Sequence, residues 1–438
     1  MIEEVLHPVN LMRAYYQVYR NKGAAGVDRM KVDELRAYMQ IHRERIKASI
    51  RDGSYLPQPI LGVEIPKSNG KKRLLGVPTV VDRMLQQAVG QILCNYYDMD
   101  FEDNSYGFRP RRSAQQAVLR AREYINSGNT CIVDIDLKTF FDEVDHCLLL
   151  QILYRRVKCR QSLRLIRKWL RAPIQLNGIL VKRRKGVPQG SPLSPILSNI
   201  LLDGLDKELA RMGVKYVRYA DDFSIYCQEE SEAKEVQEKI YKFLKEKLHL
   251  PVNEEKSGIR TPEEFTILGY SFERSKDESK RNEYCLIVGL KRWKSLKEKL
   301  REVTRKTKPY SFDMRMTKLK EIQRGWVQYF RLADIRWKLK DLDGWVRSRI
   351  RYCIWHFWKK PKRRRKSLIR MGIDPIRARQ WSHTRMGGWA TARSPILKTT
   401  ITNSRLARRG YQSMTTLFDS IAPHLNEPLY TRPVRTVV

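Results

Sequence analysis

Apolar and polar positions follow two different patterns along the chain, and the change between them falls near residue 290. Before that point, short apolar runs with a period of two predict strands, and three- and four-residue spacings predict helices. The strand predictions are a hairpin over residues 60–76, a buried strand at 131–137 and a second hairpin at 215–227. After residue 290 the spacing is mostly helical. The pattern predicts an α+β unit followed by a helical domain.

Helices are predicted before and between these strands. Residues 1–50 have helical spacing, interrupted by a turn-rich loop at residues 23–28. The first hairpin turns at Ser68-Asn69-Gly70, a sequence typical of tight turns. We expect further helices at residues 80–98, 112–127, 144–172, 192–212 and 230–249, and short strands near 265–273 and 284–289.

Positive charge is concentrated in the helical back part. The chain has 438 residues, with 86 Lys and Arg against 48 Asp and Glu, for a net charge of +38. Residues 291–438 hold 38 of the basic side chains and only 10 acidic ones, together with eight of the nine Trp. Basic charge mixed with aromatic rings favours a nucleic-acid-binding surface over a membrane-surface helix. A ribosomal type of structural protein fits the front half poorly.

Cysteine usage and hydropathy narrow the class of protein further. The seven Cys form no C-x-x-C pair, and one Cys and three His lie after residue 290. These numbers predict buried thiols in a reducing compartment and exclude a Cys-rich zinc module there. The first 30 residues lack a signal-peptide core, and no run of about 18 apolar residues occurs. We expect a soluble intracellular protein.

Three carboxylates lie where a metal ion could bind. Asp136 ends the apolar strand, where an acid is unfavourable unless it is paired, hydrogen-bonded or bound to metal. Asp221 and Asp222 follow Ala220 at the tip of the second hairpin, where a cation would relieve their repulsion. Oxygen ligands without nearby His or Cys favour Mg²⁺ over zinc. Two such ions would activate a 3′-hydroxyl and stabilise leaving pyrophosphate, although Asp-Asp in a turn is common.

Tyr219-Ala220-Asp221-Asp222 resembles the YxDD box of reverse transcriptases. Four other segments between residues 10 and 290 resemble motifs of the same enzymes in the same order. They are the GxD loop at Gly26–Asp28, the fingers motif at Val63–Val77, the first metal-binding motif at Ile132–His146 and the PQG motif at Gly186–Asn199. Leu268-Gly269-Tyr270, further along, resembles the primer-grip region.

The back part resembles the thumb, or X, domain of bacterial group II intron maturases. The runs at residues 355–365 and 381–389 carry this resemblance. It implies a right-hand polymerase, with fingers and palm followed by an all-helical basic thumb and X domain. The expected domains are an N-terminal extension at 1–58, fingers and palm at 59–290, the thumb and X domain at 291–390 and a basic segment at 391–438. An HNH endonuclease domain is not expected, and DNA binding by the last segment stays open.

The resemblance also implies the metal ligands. Asp136, Asp221 and Asp222 would be the catalytic residues and would bind two Mg²⁺ ions, for which Mn²⁺ can substitute. Leu137 would be a further metal ligand. Asp134 remains an alternative to Asp136, because strand alternation places both side chains on one face.

The resemblance assigns nucleotide contacts to residues outside the carboxylate group. Lys67 and Arg73, on facing strands, would bind the triphosphate, and Phe141 would crowd a ribose 2′-hydroxyl and so select deoxynucleotides. Gln189 and Gly190 would lie under the incoming nucleotide. Lys256 is a possible general acid for pyrophosphate. The nucleic-acid-binding side chains would be Lys359, Lys360, Lys362, Arg363, Arg364 and Arg365.

The implied function is an RNA-directed DNA polymerase of a group II intron, which also binds intron RNA to assist splicing and mobility. Its partners would be intron RNA, an RNA template with a DNA primer, target DNA and dNTPs, in the bacterial cytoplasm. Whether it is a monomer or a dimer stays open. The alternatives are a splicing-only maturase and a domesticated reverse transcriptase in repair or phage defence. An RNA-directed RNA polymerase is disfavoured, because Ala220 stands where it usually has Gly.

Overall fold

The computed structural model describes residues 1–66, 70, 72–275, 278 and 281–421. The chain divides into two compact units, Met1–Phe265 and Thr266–Val438. The first unit contains both predicted hairpins and most of the predicted helices. The second contains a small sheet and a series of helices.

The first unit begins with helices that pack through their apolar faces. The helices are α1 (Ile2–Leu6), α2 (Pro8–Arg20) and α3 (Leu35–Arg51), and α2 packs on α4 (Val80–Tyr97). Leu11, Ala14 and Val18 are buried along α2, at the spacing that brings side chains onto one face. Helix α4 starts after Thr79, whose hydroxyl accepts from the amide of Asp82 at 3.2 Å and caps the helix.

The first sheet of this unit contains the predicted hairpin and one that was not predicted. Strands β1 (Ile60–Pro66) and β2 (Lys72–Val77) are antiparallel, with Ile65 opposite Arg73. Two further strands lie at Ile174–Leu176 and Ile179–Val181, and β1 runs parallel to the first of them. They are too short for a clear alternation, although Asn177-Gly178 is a typical hairpin turn.

The second sheet is the one that carries the predicted carboxylates. Its strands are β3 (Cys131–Ile135), β6 (Lys215–Tyr219), β7 (Asp222–Cys227) and β8 (Gly258–Arg260). The labels β4 and β5 belong to the two short strands of the first sheet, Ile174–Leu176 and Ile179–Val181. The order is β6-β7-β3-β8, and all neighbours are antiparallel. Strand β3 ends at Ile135, two residues earlier than predicted, and Asp222 begins β7 instead of lying in the turn. Helices α5 (Ala114–Asn126), α9 (Ser194–Arg211) and α10 (Glu230–Lys247) pack on this sheet.

Residues 144–172 are helical as predicted, and two separate helices occupy this stretch. They are α7 (His146–Val157) and α8 (Arg160–Arg171), after the short α6 (Phe140–Glu143). Lys158 adopts a left-handed conformation with φ of 36°, which ends α7. Asp145 caps the start of α7 by accepting from the amides of Cys147 and Leu148, at 2.7 and 3.1 Å.

The second unit starts with a sheet, whose strands the sequence analysis placed in the first part, and continues as the predicted helices. The antiparallel sheet has the order β11-β10-β9, with β9 at Thr266–Ile267, β10 at Tyr270–Arg274 and β11 at Tyr284–Val288. Three longer helices follow, α11 (Leu290–Val303), α12 (Phe312–Tyr329) and α13 (Arg336–Phe357). The shorter ones are α14 (Pro361–Arg370), α15 (Pro375–Ser382), α16 (Gly388–Arg393), α17 (Pro395–Thr400), α18 (Asn403–Arg408) and α19 (Met414–Ile421).

A buried carboxylate in α13 holds the last helix of this unit. Asp343 accepts hydrogen bonds from the hydroxyls of Tyr411, Ser413 and Thr415, at 2.7, 2.6 and 2.8 Å. It also accepts from the amides of Met414 and Thr415, at 3.0 and 2.9 Å. Asp343 therefore caps the N-terminus of α19 and ties it to α13.

The cysteines are free, as predicted, but not all of them are buried. Cys227 and Cys353 are buried, whereas Cys147 is exposed and the other four are intermediate. The prediction of buried thiols is therefore wrong for Cys147, which lies on the outer side of the first turn of α7. No helix within the described ranges combines the length and the apolar character needed to cross a membrane.

Candidate active site

The tight turn between β6 and β7 contains the predicted carboxylate Asp221 and is followed directly by the second one, Asp222. Tyr219 pairs with Asp222, so the turn itself consists of Ala220 and Asp221. Ala220 is buried and adopts φ of 60°, a left-handed conformation that the small side chain tolerates in a two-residue hairpin turn. A Cβ on Gly107 would collide with the backbone nitrogen of Ala220. The segment around Gly107 therefore presses against the turn and fixes its position.

The strand register brings Asp136 next to Asp222. Ile135 on β3 is opposite Phe223 on β7. Because the strands are antiparallel, the residue after Ile135, Asp136, comes opposite the residue before Phe223, Asp222. Residues opposite each other in an antiparallel pair point to the same face, with Cβ atoms about 4.5–5.5 Å apart. With Asp221 in the adjoining turn, the predicted carboxylates lie together at one end of the sheet.

The carboxylates at this end of the sheet oppose one another's ionisation. The pKa of Asp222 is raised to about 6, first by withdrawal from water and then by the negative charges of Asp221 and Asp136. Burial also raises the pKa of Asp221, while the positive charge of Arg73 lowers it. A bound cation would relieve this repulsion, because it interacts favourably with the ionised form of each acid.

The donor chemistry of the site fits a hard divalent cation, since carboxylate oxygens are the ligands that Mg²⁺ prefers. Across the described residues, no three His, Cys, Asp or Glu side chains are grouped closely enough to hold a metal ion. Oδ2 of Asp136 instead accepts from Asn253 Nδ2 at 2.9 Å and from Lys256 Nζ at 3.1 Å. Metal binding would require Asp136 to exchange these donors for the cation. Leu137 is buried, and its backbone bridges to Val252.

Asp134 shares a sheet face with Asp136 but has a different partner. Arg260 on β8 donates from Nε to Oδ2 of Asp134 at 3.0 Å, and its terminal nitrogen donates to the carbonyl oxygen of Lys256 at 2.6 Å. Burial is the main influence on the Asp134 carboxyl and raises its pKa, while Arg260 acts in the opposite direction. Asp134 is thus paired with a guanidinium that is itself held in place.

The loop before β8 holds the backbone of Asp136 as well as its side chain. The amide of Asp136 donates to Ser257 Oγ at 3.0 Å, and its carbonyl oxygen accepts from the amide of Asn253 at 2.8 Å. Lys256 was predicted to act here, and its ammonium does lie at Asp136. Asn253 and Ser257 were not predicted, because polar residues in a polar loop carry no distinguishing sequence signal.

The predicted nucleotide contacts Arg73 and Gln189 meet in the structure. Arg73 Nε donates to Gln189 Oε1, and the amide of Gly76 donates to the carbonyl oxygen of Gln189 at 2.7 Å. Gly190 adopts φ of 110°, and a Cβ there would lie 2.8 Å from the carbonyl oxygen of Gly76. Only glycine therefore allows the loop to pack this closely on β2. The other predicted contact, Lys67, lies outside the described residues.

Phe141 lies beside the same loop and is only partly buried. Its ring packs edge-on against Phe140, with centroids 5.2 Å apart and planes at 72°. Its carbonyl oxygen accepts from the amide of Val187, two residues before Gln189, at 2.6 Å. Phe140 is buried in the core, so the two neighbouring rings occupy different environments.

A buried ion pair beneath the turn was missed by the sequence analysis. Arg218 on β6 and Asp206 on α9 are both fully buried, and the guanidinium contacts both carboxylate oxygens, at 2.7 and 2.5 Å. Arg218 also donates to Asn199 Oδ1 at 3.0 Å, Ser105 Oγ at 2.7 Å and the carbonyl oxygen of Ala220 at 2.9 Å. The sequence does contain an indication of this ion pair, because an arginine at a core position of an apolar strand needs an acidic partner.

The predicted nucleic-acid-binding run begins before α14 and continues into it. Five of its six basic side chains are exposed, and Arg364 is half-buried. The guanidinium of Arg364 lies 4.4 Å from the ring centroid of Trp355, and its Nε donates to the carbonyl oxygen of Trp358 at 2.9 Å. Arg364 therefore helps to hold α14 in place. The exposed cations are Lys359, Lys360, Lys362, Arg363 and Arg365.

Two protein-family models match the chain in the order that its motifs predict. Residues 65–272 match the model described as reverse transcriptase (RNA-dependent DNA polymerase). Residues 293–372 match the model described as group II intron, maturase-specific domain. The first match includes every predicted catalytic carboxylate, and the second includes all six residues of the basic run.

Several curated proteins resemble the chain over part of its length. The group II intron-encoded protein LtrA of Lactococcus lactis subsp. cremoris is 37% identical over 215 residues, which are 49% of this chain and 36% of LtrA. Protein YkfC of Escherichia coli (strain K12) is 29% identical over 317 residues, 63% of this chain and 83% of YkfC. The putative COX1/OXI3 intron 2 protein of Saccharomyces cerevisiae is 27% identical over 322 residues, 59% of this chain and 37% of that protein. The match thus spans little more than a third of LtrA.

Proposed function

The chain belongs to the group II intron-encoded reverse transcriptases, and from that premise we propose that it copies RNA into DNA and also binds intron RNA. Reverse transcriptases generally use divalent metal ions. We propose that the ions here are two Mg²⁺, held by Asp136, Asp221 and Asp222, with the carbonyl of Leu137 beside them. When bound, these ions would lower the pKa of the primer 3′-hydroxyl and neutralise charge on the leaving pyrophosphate.

The observation that carries this proposal is the convergence of acidic and basic groups in the first unit. Register places Asp136 beside Asp222, and Arg73 lies near enough to Asp221 to lower its pKa. Arg73 is also bonded to Gln189 in the loop that packs on β2. A nucleoside triphosphate requires cations for its phosphates and carboxylates for its metal ions, and both are present here.

Other residues of the site have roles in binding and orientation. The guanidinium of Arg73 is proposed to bind phosphate oxygens, and Lys67 is proposed to do the same. Gln189 and Gly190 support the templated base pair from below. The ammonium of Lys256, 3.1 Å from Oδ2 of Asp136, is proposed as the general acid that would protonate pyrophosphate.

The test is primer extension by the purified full chain, with an RNA template, a DNA primer, dNTPs and Mg²⁺. We expect product with Mg²⁺, none after chelation by EDTA, and recovery when excess Mg²⁺ is added. The matched control is an Asp221→Asn protein purified in the same way, which should give no product. Equal extension by both proteins would identify a contaminant, and no extension by the wild type would refute the polymerase.

A second activity, support of intron splicing, is favoured by the charge of the back part. Residues 291–438 have a net charge of +28, and residues 293–372 match the maturase-specific model. We propose that this part binds intron RNA, with the exposed cations of the α14 run contacting phosphates. A splicing-only maturase would bind and splice a folded group II intron yet fail to extend any primer.

Phe141 is proposed to exclude ribonucleotides from the site. We expect Phe141→Val to reduce the preference for dCTP over CTP, measured as a ratio of kcat/KM values, by about tenfold or more. The reason is that the smaller side chain leaves space for a 2′-hydroxyl. Phe140→Val is the matched control, because it removes the neighbouring core ring and should lower stability without changing the ratio. An unchanged ratio in Phe141→Val would refute the selective role.

We propose an N-terminal extension at 1–58, fingers and palm at 59–290, a thumb and X domain at 291–390 and a basic segment at 391–438. Target DNA and dNTPs are proposed partners, and the bacterial cytoplasm is the proposed location.

A further inference from the structure

A pocket of about 710 Å³ lies within the second unit, and none of its lining residues was assigned to the polymerase site. One face of α13 forms its floor, through Gly344, Trp345, Ser348 and Arg351. Their spacing of one, three and three residues places them along one side of the helix. The opposite wall comes from α16, α17 and the start of α18.

The pocket is lined by four cations and one acid. Arg347 and Arg351 lie on α13, Arg393 ends α16 and Lys398 lies on α17, whereas Asp341 is the acidic residue. None of the four cations forms an ion pair within the described parts of the chain. A cluster of unpaired cations around a cavity is an arrangement that an anion would stabilise.

Arg351 is held rigidly at the floor of the pocket. It is almost fully buried, donates from Nε to the carbonyl oxygen of Ile401 at 2.8 Å, and donates from a terminal nitrogen to Asn403 Oδ1 at 3.0 Å. Both acceptors are uncharged, so the positive charge of Arg351 is not neutralised by them. Burial lowers the pKa of Arg351, and the nearby charge of Arg347 lowers it further.

Aromatic rings supply the second element of the lining. Trp389 lines the pocket from α16 and is only partly buried, with one edge-on contact to Tyr352, at 6.0 Å between centroids. Trp345 lines it from α13. Aromatic side chains next to cations are the combination on which unpaired bases stack in single-stranded nucleic acid sites.

Gly344 keeps one side of the pocket open. It lies in the interior of α13, where glycine is less favourable than alanine by about 0.5–1 kcal/mol. A Cβ at this position would meet only the end of the Arg347 side chain, at 4.0 Å. No packing constraint therefore explains the absence of a side chain, whereas a larger residue here would project into the cavity.

We propose that this pocket binds one unpaired nucleotide of an RNA strand, with its phosphate at Arg347 and Arg351 and its base against Trp389. The proposal deepens, and rests on, the proposed binding of intron RNA by the back part of the chain. The pocket volume of about 710 Å³ lies within the range of ligand pockets, about 300–1,000 Å³, so the pocket has room for one nucleotide.

The experiment compares Gly344→Leu with Gly325→Leu in the full-length protein. Gly325 is also inside a helix of the second unit and has no atom within 4 Å of its Cβ position, but it does not line the pocket. Fluorescence anisotropy would measure binding of a single-stranded RNA of about 12 nucleotides and of the same RNA as a duplex. We expect Gly344→Leu to weaken single-strand binding about tenfold, with little change for duplex, and Gly325→Leu to resemble the wild type.

Trp389→Ala tests the stacking role separately. Trp389→Ala should weaken single-strand binding by a similar factor. Trp337→Ala, which removes an exposed Trp of α13 that does not line the pocket, should leave single-strand binding unchanged. Inorganic phosphate should compete only at concentrations far above those of the RNA. Competition by phosphate as strong as by RNA, or equal binding by both Gly→Leu proteins, would overturn the proposal.

Primer extension on a preformed template–primer duplex separates this proposal from the polymerase. Gly344→Leu should extend such a primer at the wild-type rate, because the pocket lies outside the carboxylate site. Wild-type protein that binds single strands through the pocket but extends no primer would refute the polymerase alone. Normal extension combined with unaltered RNA binding by Gly344→Leu would refute the pocket alone.

Discussion

The Asp136→Asn protein will extend a primer about a thousandfold more slowly than the wild type, whereas Asp134→Asn will lose less than about tenfold. Strand register places Asp136 opposite Asp222, while Asp134 lies opposite Ser224, two residues further from the turn. Asp134 is also neutralised by Arg260, whose guanidinium is held by the backbone of Lys256. A metal ion near the turn would therefore take Asp136 as its ligand.

Single-turnover extension under saturating dNTP measures this difference, since it isolates nucleotide addition from product release. Both variants remove one negative charge and keep the side-chain volume, so each is the control for the other. Thermal unfolding would confirm that both proteins remain folded. A larger loss for Asp134→Asn than for Asp136→Asn would show that the metal ligand has been assigned to the wrong acid.

Most long elements could be predicted from local pattern, and the misses have local causes. Helix α4 has both an N-cap and a long apolar face, so its bounds were close to the prediction. The strands on either side of Asn177-Gly178 have three residues each, which is too short for periodicity to be visible. The division between α7 and α8 depends on the left-handed conformation of Lys158, which no residue type signals.

The candidate site was also predicted only in part, because some of its contacts join residues that are far apart in the sequence. Asp136, Asp221 and Asp222 carry a sequence signal because acids are unusual beside apolar strands. Asn253 and Ser257, which fix Asp136, come from a loop more than 100 residues away and have unremarkable polar neighbours. Their role follows only from the pairing of β3 with β8, and long-range pairing cannot be inferred from local pattern.

The network beneath the turn links the fold to the chemistry of the site. Arg218 contacts Asp206 and Asn199 on α9, and it also holds the carbonyl oxygen of Ala220 at the turn. The side chain of Asn199 in turn donates to the carbonyl oxygen of Gly107 at 2.8 Å. The position of Asp221 is therefore set by a buried charge pair between β6 and α9.

Arg218→Met is expected to destabilise the first unit by about 3–5 kcal/mol, because it leaves the buried carboxylate of Asp206 without its partner. Methionine retains much of the apolar volume but cannot donate to Asp206 or Ala220. Urea denaturation of the full chain measures the loss, and hydrogen exchange should locate it in β6, β7 and α9. In the folded protein, the freed turn should also raise the Mg²⁺ concentration needed for half-maximal extension.

The double variant Asp206→Leu/Arg218→Met distinguishes an unpaired charge from a general packing defect. Replacing both partners removes the buried charges together, so the double variant should be more stable than Arg218→Met alone. Its requirement for Mg²⁺ should nevertheless stay raised, because no donor reaches the carbonyl oxygen of Ala220 in either protein. Recovery of the wild-type Mg²⁺ requirement in the double variant would show that Arg218 contributes stability alone. A raised requirement in a restabilised protein would make Arg218 a positioning residue for the carboxylates of the turn.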